Sequence, residues 1–235
     1  MATLPRTVLY ADLGHCIREA VRGSTAIDVG ASVGNYALAM SRAVGRHGRV
    51  LALEANPAVF AELVSSTWAS RVTPLNLAAS SSSGWADMLV PQDGRERHEP
   101  LATLEPRPGT AGTTVPVRCI RLDDLADAAR RVSLVKIDVE GHEADVLAGA
   151  EEIIARDAPT FVIEIERRHL VGRDVADVVT FLLDRGYTCA AIQGSRLIPW
   201  EEFDVDRLQT AALESGADAA QQADYVNNFL FRARR

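Results

Sequence analysis

Cysteine is scarce in this chain. Three residues in 235, at positions 16, 119 and 189, lie far apart and match no zinc-ligand spacing. An odd number of isolated thiols excludes a disulfide framework and suits a reducing cytosol, where each acts as a small apolar side chain. Long apolar runs are missing too: none reaches the length of a membrane span. The opening MATLPRTVLYADLGHC has no signal-peptide core, so the expected location is cytoplasmic. Positive charge is in deficit, 25 Lys and Arg against 32 Asp and Glu, for a net charge of −7. Such a surface repels a phosphate backbone and argues against nucleic acid as a partner. The short basic pieces Arg167-Arg168 and Arg232 to Arg235 read as solvated surface.

What is present is ordinary globular material, 47% hydrophobic and 24% charged, in a length that suits one large domain. Residues 1–23 read as an N-terminal helical segment, with Leu9, Leu13, Ile17 and Val21 at helical spacing. From 24 onward strands and helices alternate. Strands are expected at Thr25 to Val29, Arg49 to Ala55, Arg71 to Ala79, Ser133 to Val139, Phe161 to Ile165, Tyr187 to Ile192 and Asn228 to Phe231. Helices are expected over Tyr36–Val44, Pro57–Ala69, Glu143–Ile154 and Val175–Leu183, with a short acidic helix near Asp123 to Ala129. This rhythm specifies an α/β domain with a mostly parallel sheet covered on both faces. Two stretches break it. Residues 91–114, rich in Pro, Gly and charge, read as a loop or flap between strands near Trp85–Val90 and Val115–Ile120. Residues 193–223 read as an insertion before the last strand.

The sharpest local signal is Ile27-Asp28-Val29-Gly30-Ala31-Ser32-Val33-Gly34, between the first strand and its helix. Glycine lets the backbone approach a ligand, and the helix start offers free N–H groups. A dinucleotide site would show G-x-G-x-x-G, which is absent. Glu54 ends the second strand, where an acid can take ribose hydroxyls (roughly 20 residues beyond the glycine turn). Taken singly, the glycines read as a tight turn and Glu54 as a strand-end surface acid. Together at these offsets they read as an adenosine-cofactor site.

The strings DVGASVGNYA, VLALEANP, LVKIDVEGHEADVLAGA and FVIEIE, with the closing NNFLF, resemble the FkbM family of methyltransferases over residues 24 to 192. The resemblance implies a class I, Rossmann-like fold with a seven-stranded sheet whose last strand is antiparallel. It also implies S-adenosylmethionine as donor and transfer to a hydroxyl of a sugar, polyketide or other secondary metabolite. Carried onto this chain, Asp28, Gly30 and Gly34 would hold the amino-acid end of the cofactor, with Ala31, Ser32 and Asn35 in the same loop. Glu54 with Ala55 would take the ribose, Asn76, Leu77 and Ala78 would flank the adenine, and Asp138 would complete the set. Ser32 departs from the family's usual Asn, a change expected to alter one hydrogen bond and spare cofactor binding.

Methyl transfer to an aliphatic hydroxyl needs alignment and a route for the proton, by a base or a metal. The candidates are Asp138, Glu140, His142 and Glu164, with Asp138 and Glu164 as ligands if a divalent ion takes part. Asp138 and Glu164 stand at the ends of strands expected to be neighbours, so they can meet on one side of the sheet. Lys136, two residues earlier in an apolar strand, reads as a buried counter-ion for Asp138. His142 stands at a helix start, which keeps an imidazole neutral as a base requires but also suits plain solvent exposure. Glu143 reads as complementing the helix dipole. His15, His47, His98 and His169 show no partner in the sequence.

Acceptor recognition falls to residues 1–23, 91–114 and 193–223, loops that vary around a rigid scaffold. Trp85 and Trp200 read as packing. A small-molecule acceptor is the expected partner, and a homodimer the assembly left open. Competing readings are an N- or carboxyl-methyltransferase, an NAD(P)-dependent oxidoreductase, and a binding protein that keeps the fold without the chemistry.

Overall fold

The computed structural model describes residues 11–91, 102–105, 109–127, 129–210 and 225–234. The expectations for 1–10, for most of the 91–114 loop and for 211–224 lie outside the described residues. The chain begins with α1 (Ala11–Glu19), β1 (Thr25–Val29), α2 (Asn35–Val44), β2 (Arg49–Leu53), α3 (Pro57–Ser66) and β3 (Val72–Leu75). A side excursion follows, β4 (Ala78–Ala79), β5 (Gly84–Pro91) and β6 (Gly112–Ile120), then α4 (Leu122–Leu125). The main rhythm resumes with β7 (Val132–Ile137), α5 (Glu143–Ala148), α6 (Glu151–Asp157), β8 (Thr160–Glu164), α7 (Val175–Leu183), β9 (Tyr187–Gln193), β10 (Arg196–Pro199) and β11 (Asn228–Ala233).

The main sheet runs β10-β9-β11-β8-β7-β1-β2-β3. β1, β2, β3, β7 and β8 are parallel to one another, and β11 enters antiparallel between β8 and β9. All seven expected strands are there. The 193–223 stretch adds an eighth: β10 folds back on β9 through the two-residue turn Gly194-Ser195, with Gln193 opposite Arg196. β4, β6 and β5 form a separate small sheet beside it.

Both faces of the main sheet are buried, which is why β1 and β7 are apolar almost throughout. Alternate residues serve opposite cores. Ile27, Val29, Val135 and Ile137 pack with Val146, Leu147, Val178 and Leu182 under α5, α6 and α7. Ala26, Leu134 and Val162 pack with Cys16, Met40 and Val44 under α1 and α2. All three cysteines are buried free thiols.

Three expectations change at the boundaries. The helix expected over Glu143–Ile154 is broken at Gly149. A Cβ there would lie 2.1 Å from the Ser80 carbonyl oxygen, so the chain crosses another backbone at that point. The acidic helix expected near Asp123 to Ala129 shortens to Leu122–Leu125. Trp85 is 75% exposed rather than packed, because β5 turns that side outward, whereas Trp200 stacks on Phe203. Among the described residues no helix is long and apolar enough to cross a membrane.

Candidate functional site

The strand order reverses between β1 and β7, and a cleft opens beyond the carboxyl ends of β1, β2 and β7, where such sheets bind ligands. It is partly open to solvent, with a cavity volume of about 170 Å³. Gly30 forms its floor at φ +75°, pressed against the Asp138 backbone. Ser32 also adopts a left-handed conformation, φ 46°, and its N–H donates to Glu54 Oε2 at 3.0 Å. The other oxygen of Glu54 accepts the Asn56 N–H at 2.8 Å. Glu54 therefore ties the β1–α2 loop to the β2–α3 loop. Val59, Leu77, Ala78, Met88 and Leu104 give the same cleft an apolar wall.

Behind the floor lies a buried charge cluster. Asp28 and Lys136 are register partners on β1 and β7, so they point to the same side. Lys136 is the sole lysine of the chain and is 1% exposed. Its Nζ stands 3.5 Å from Asp138 Oδ2 and 5.3 Å from the centre of the Tyr36 ring. Asp28 accepts the Ala37 N–H, while its Oδ2 is buried without a hydrogen-bond partner among the described residues. Burial pushes the Asp28 carboxyl up to about 7, against the pull of Lys136. Next along the sheet, Glu164 is pushed well above the usual carboxylate range, by burial and then by the Asp138 charge. Asn227 Nδ2 bridges Glu164 and Glu166 at 2.7 Å each. Glu166, held by Arg168 and by the Tyr225 hydroxyl at 2.9 Å, stays below that range despite burial.

The third group surrounds the start of α5. Glu140 takes a left-handed conformation, φ 54°, and its carboxylate contacts His169 Nδ1, the partner the sequence did not disclose. His142 is 8% exposed, not a solvated helix-start residue. Its Nδ1 lies 2.9 Å from Glu105 Oε1 and its Nε2 3.0 Å from Ser80 Oγ. Glu143 is buried, and accepts the Gly141 N–H at 2.9 Å. Burial pushes its carboxyl up to about 7, so it is more than an exposed dipole partner.

Of the residues expected to hold the cofactor, Gly30, Ser32, Glu54, Ala55, Leu77, Ala78 and Asp138 line the cleft, joined by the expected catalytic residues Glu140 and His142. Asp28, Ala31, Gly34, Asn35 and Asn76 do not line it. Asn76 instead braces its rim, donating to the Glu54 and Ala55 carbonyls at 2.8 and 3.0 Å. Glu164 also sits back from the cleft wall. For a divalent ion, Asp138 already faces the ammonium of Lys136, and Glu164 faces Asn227. Among the described residues, metal-ligand spacing occurs instead at Glu105, His142 and Asp145, within 4.8 Å of one another. There Asp145 already accepts from Arg173 and Ser81, at 3.0 Å each. Sequence reasoning missed Ser80, Glu105 and Met88, which lie outside any recognisable motif. A lone Glu in a Pro-rich loop carries no periodic signal.

Comparison with known proteins places this site in context. The methyltransferase FkbM domain matches residues 28–189. A hexuronic acid methyltransferase, AglP of Haloferax volcanii, is 28% identical over 170 residues, covering 71% of this chain and 64% of that protein. The crystal structure of a methyltransferase FkbM from Methylobacillus flagellatus superposes with a TM-score of 0.54 at 17% identity, covering 89% of this chain and 43% of that one. Aeropyrum pernix fibrillarin, solved with natively bound S-adenosyl-L-methionine, superposes with a TM-score of 0.50 at 14% identity, over 94% of this chain and 74% of that one. The chain thus spans under two thirds of the length of the first two.

Proposed function

The chain belongs to the FkbM methyltransferase family, and from that premise we propose that it transfers a methyl group from S-adenosylmethionine to a hydroxyl of a small, sugar-like acceptor. The observation that carries this reading is the Glu54 carboxylate, which stands at the end of β2, joins both loops and lines the cleft. Gly30 and Ser32 would hold the amino-acid portion, Glu54 the ribose, and the apolar wall of Leu77, Ala78 and Met88 the adenine. When bound, S-adenosylmethionine supplies an electrophilic methyl on sulfonium, so the acceleration asked of the protein is alignment and removal of one proton. His142 lines the cleft and is the group suited to take that proton, while Asp138 and Glu140 orient the acceptor.

The sugar-like acceptor rests on the hexuronic acid methyltransferase among the relatives. A hexuronic acid offers a carboxylate as well as hydroxyls, which keeps carboxyl methylation as the second reading. A carboxylate needs no base, so a buried histidine between two hydrogen-bond partners favours the hydroxyl.

The test is isothermal titration of S-adenosylhomocysteine into the wild type, Glu54→Ala and Glu54→Gln, beside an NAD control. Micromolar binding that weakens in both variants, with no NAD binding, is expected. NAD binding without S-adenosylhomocysteine binding would overturn the reading.

A further inference from the structure

The imidazole of His142 is held at both ends, and by two different parts of the chain. Its Nδ1 faces Glu105 Oε1 at 2.9 Å, and an ionised carboxylate has no proton to give. With that carboxylate accepting, the hydrogen would sit on Nδ1, and Nε2 would turn its lone pair to the Ser80 hydroxyl 3.0 Å away. This is the tautomer a base needs, with its basic nitrogen on the side away from the acid.

Glu105 is not placed by the main fold. It belongs to the stretch 102–105, whose Ala102 and Leu104 line the cleft. Thr103 exchanges backbone hydrogen bonds with Leu89 on β5, at 2.9 and 3.0 Å. Its hydroxyl donates to the Glu140 carbonyl at 2.9 Å and accepts the Glu105 N–H at 2.9 Å. The stretch is thus pinned to the β7–α5 turn at one residue and delivers a carboxylate to the base two residues later.

We propose that Glu105 is a positioning residue for the methyl-transfer reaction: it fixes the Nδ1–H tautomer of His142 and pairs with the imidazolium that forms. The proposal rests on the methyltransferase reading above. In the step it serves, the acceptor O–H bond breaks and its electron pair makes the new C–O bond to the donor's methyl. The S–CH3 pair stays on the departing thioether. The proton goes to His142 Nε2, where the acceptor hydroxyl has taken the place of Ser80.

The experiment has two arms. Long-range 1H–15N correlation spectra of the full chain, with His142 assigned by His142→Gln, report the tautomer without any acceptor. The wild type should show Nδ1–H, and Glu105→Ala should shift toward Nε2–H. Glu105→Gln keeps an accepting oxygen and should hold the tautomer while losing the charge. In the second arm, turnover is read with S-adenosylmethionine and methyl glucuronide. Here kcat should fall roughly tenfold in Glu105→Gln and roughly a hundredfold in Glu105→Ala, with KM and S-adenosylhomocysteine affinity changed less than about threefold.

A wild-type Nε2–H tautomer, or a Glu105→Ala variant with unchanged tautomer, would overturn the proposal. Should Glu105→Ala fail to fold, the isosteric Glu105→Gln still tests it through kcat against KM. Absence of S-adenosylhomocysteine binding to the wild type would instead overturn the methyltransferase reading, while the tautomer result would stand.

Discussion

A methyl group added to Gly30 would lie 1.8 Å from the carbonyl oxygen of Asp138. The first glycine of the β1–α2 loop is thus set by the turn after β7, more than a hundred residues away in sequence, as well as by its own φ of +75°. Gly30→Ala cannot relieve the clash by a rotamer change, because backbone meets backbone. The expected loss of stability is about 3 kcal/mol or more, read as the denaturation midpoint in urea. A loss under about 1 kcal/mol would mean the two loops can part freely.

Ser32 departs from the family's Asn at a position with φ 46°, a conformation Asn tolerates better than Ser. The hydrogen bond to Glu54 comes from the Ser32 backbone N–H, which Asn and Val supply equally. Ser32→Asn should keep S-adenosylhomocysteine affinity and raise stability by about 0.5 kcal/mol, whereas the β-branched Ser32→Val should lower it. Thermal melts with and without S-adenosylhomocysteine read both.

Lys136 is the chain's only lysine and is 1% exposed. Reductive methylation of the native protein should label the N-terminal amine alone, and labelling of Lys136 should appear only in denaturant, as intact mass shows. Lys136→Met removes the cation facing Asp138 and leaves Asp28 more costly to ionise. A destabilisation of about 1–3 kcal/mol is expected, since the Asp138 left behind is 32% exposed and keeps part of its hydration.

The pH dependence of stability follows from Asp28 and Glu143. Both carboxyls are pushed up to about 7 in the folded protein, from ordinary values of 3.8 and 4.5. Between those values and about 7 the folded state binds more protons than the unfolded state, so their contribution falls as pH rises through that window and is level above it. The slope approaches 1.4 kcal/mol per pH unit for each group. Asp157 and Glu166, held below the usual range, act in the opposite sense, and their contribution is lost toward acid. Asp28→Asn and Glu143→Gln should each flatten the decline in Tm between pH 5 and 7.5. An unchanged slope in both variants would contradict the assignment.

Much of the fold can be read directly from the chain. Buried parallel strands must be apolar on both faces, so β1, β7 and β8 stand out as short uninterrupted runs, and α7 shows as Val175–Leu183 at helical spacing. Gly30 and Glu54 are legible as a close turn after β1 and an acid at the end of β2, and both line the cleft. β10 was hidden, since a four-residue strand with one buried position carries little pattern. Trp85 shows the limit of composition: an aromatic side chain signals packing, yet β5 exposes it.

By itself, then, the sequence determined the order of strands and helices, the glycine turn after β1, and the acids that end β2, β7 and β8, because these are set by local periodicity and backbone demands. Only the tertiary structure decided that Glu105 meets His142, that Glu140 meets His169, and that Asp28 lies buried behind the cleft instead of in its wall. Those pairings join residues separated by loops of no fixed period. Their distances depend on how the small sheet and the β7–α5 turn pack against the main one, which no local spacing encodes.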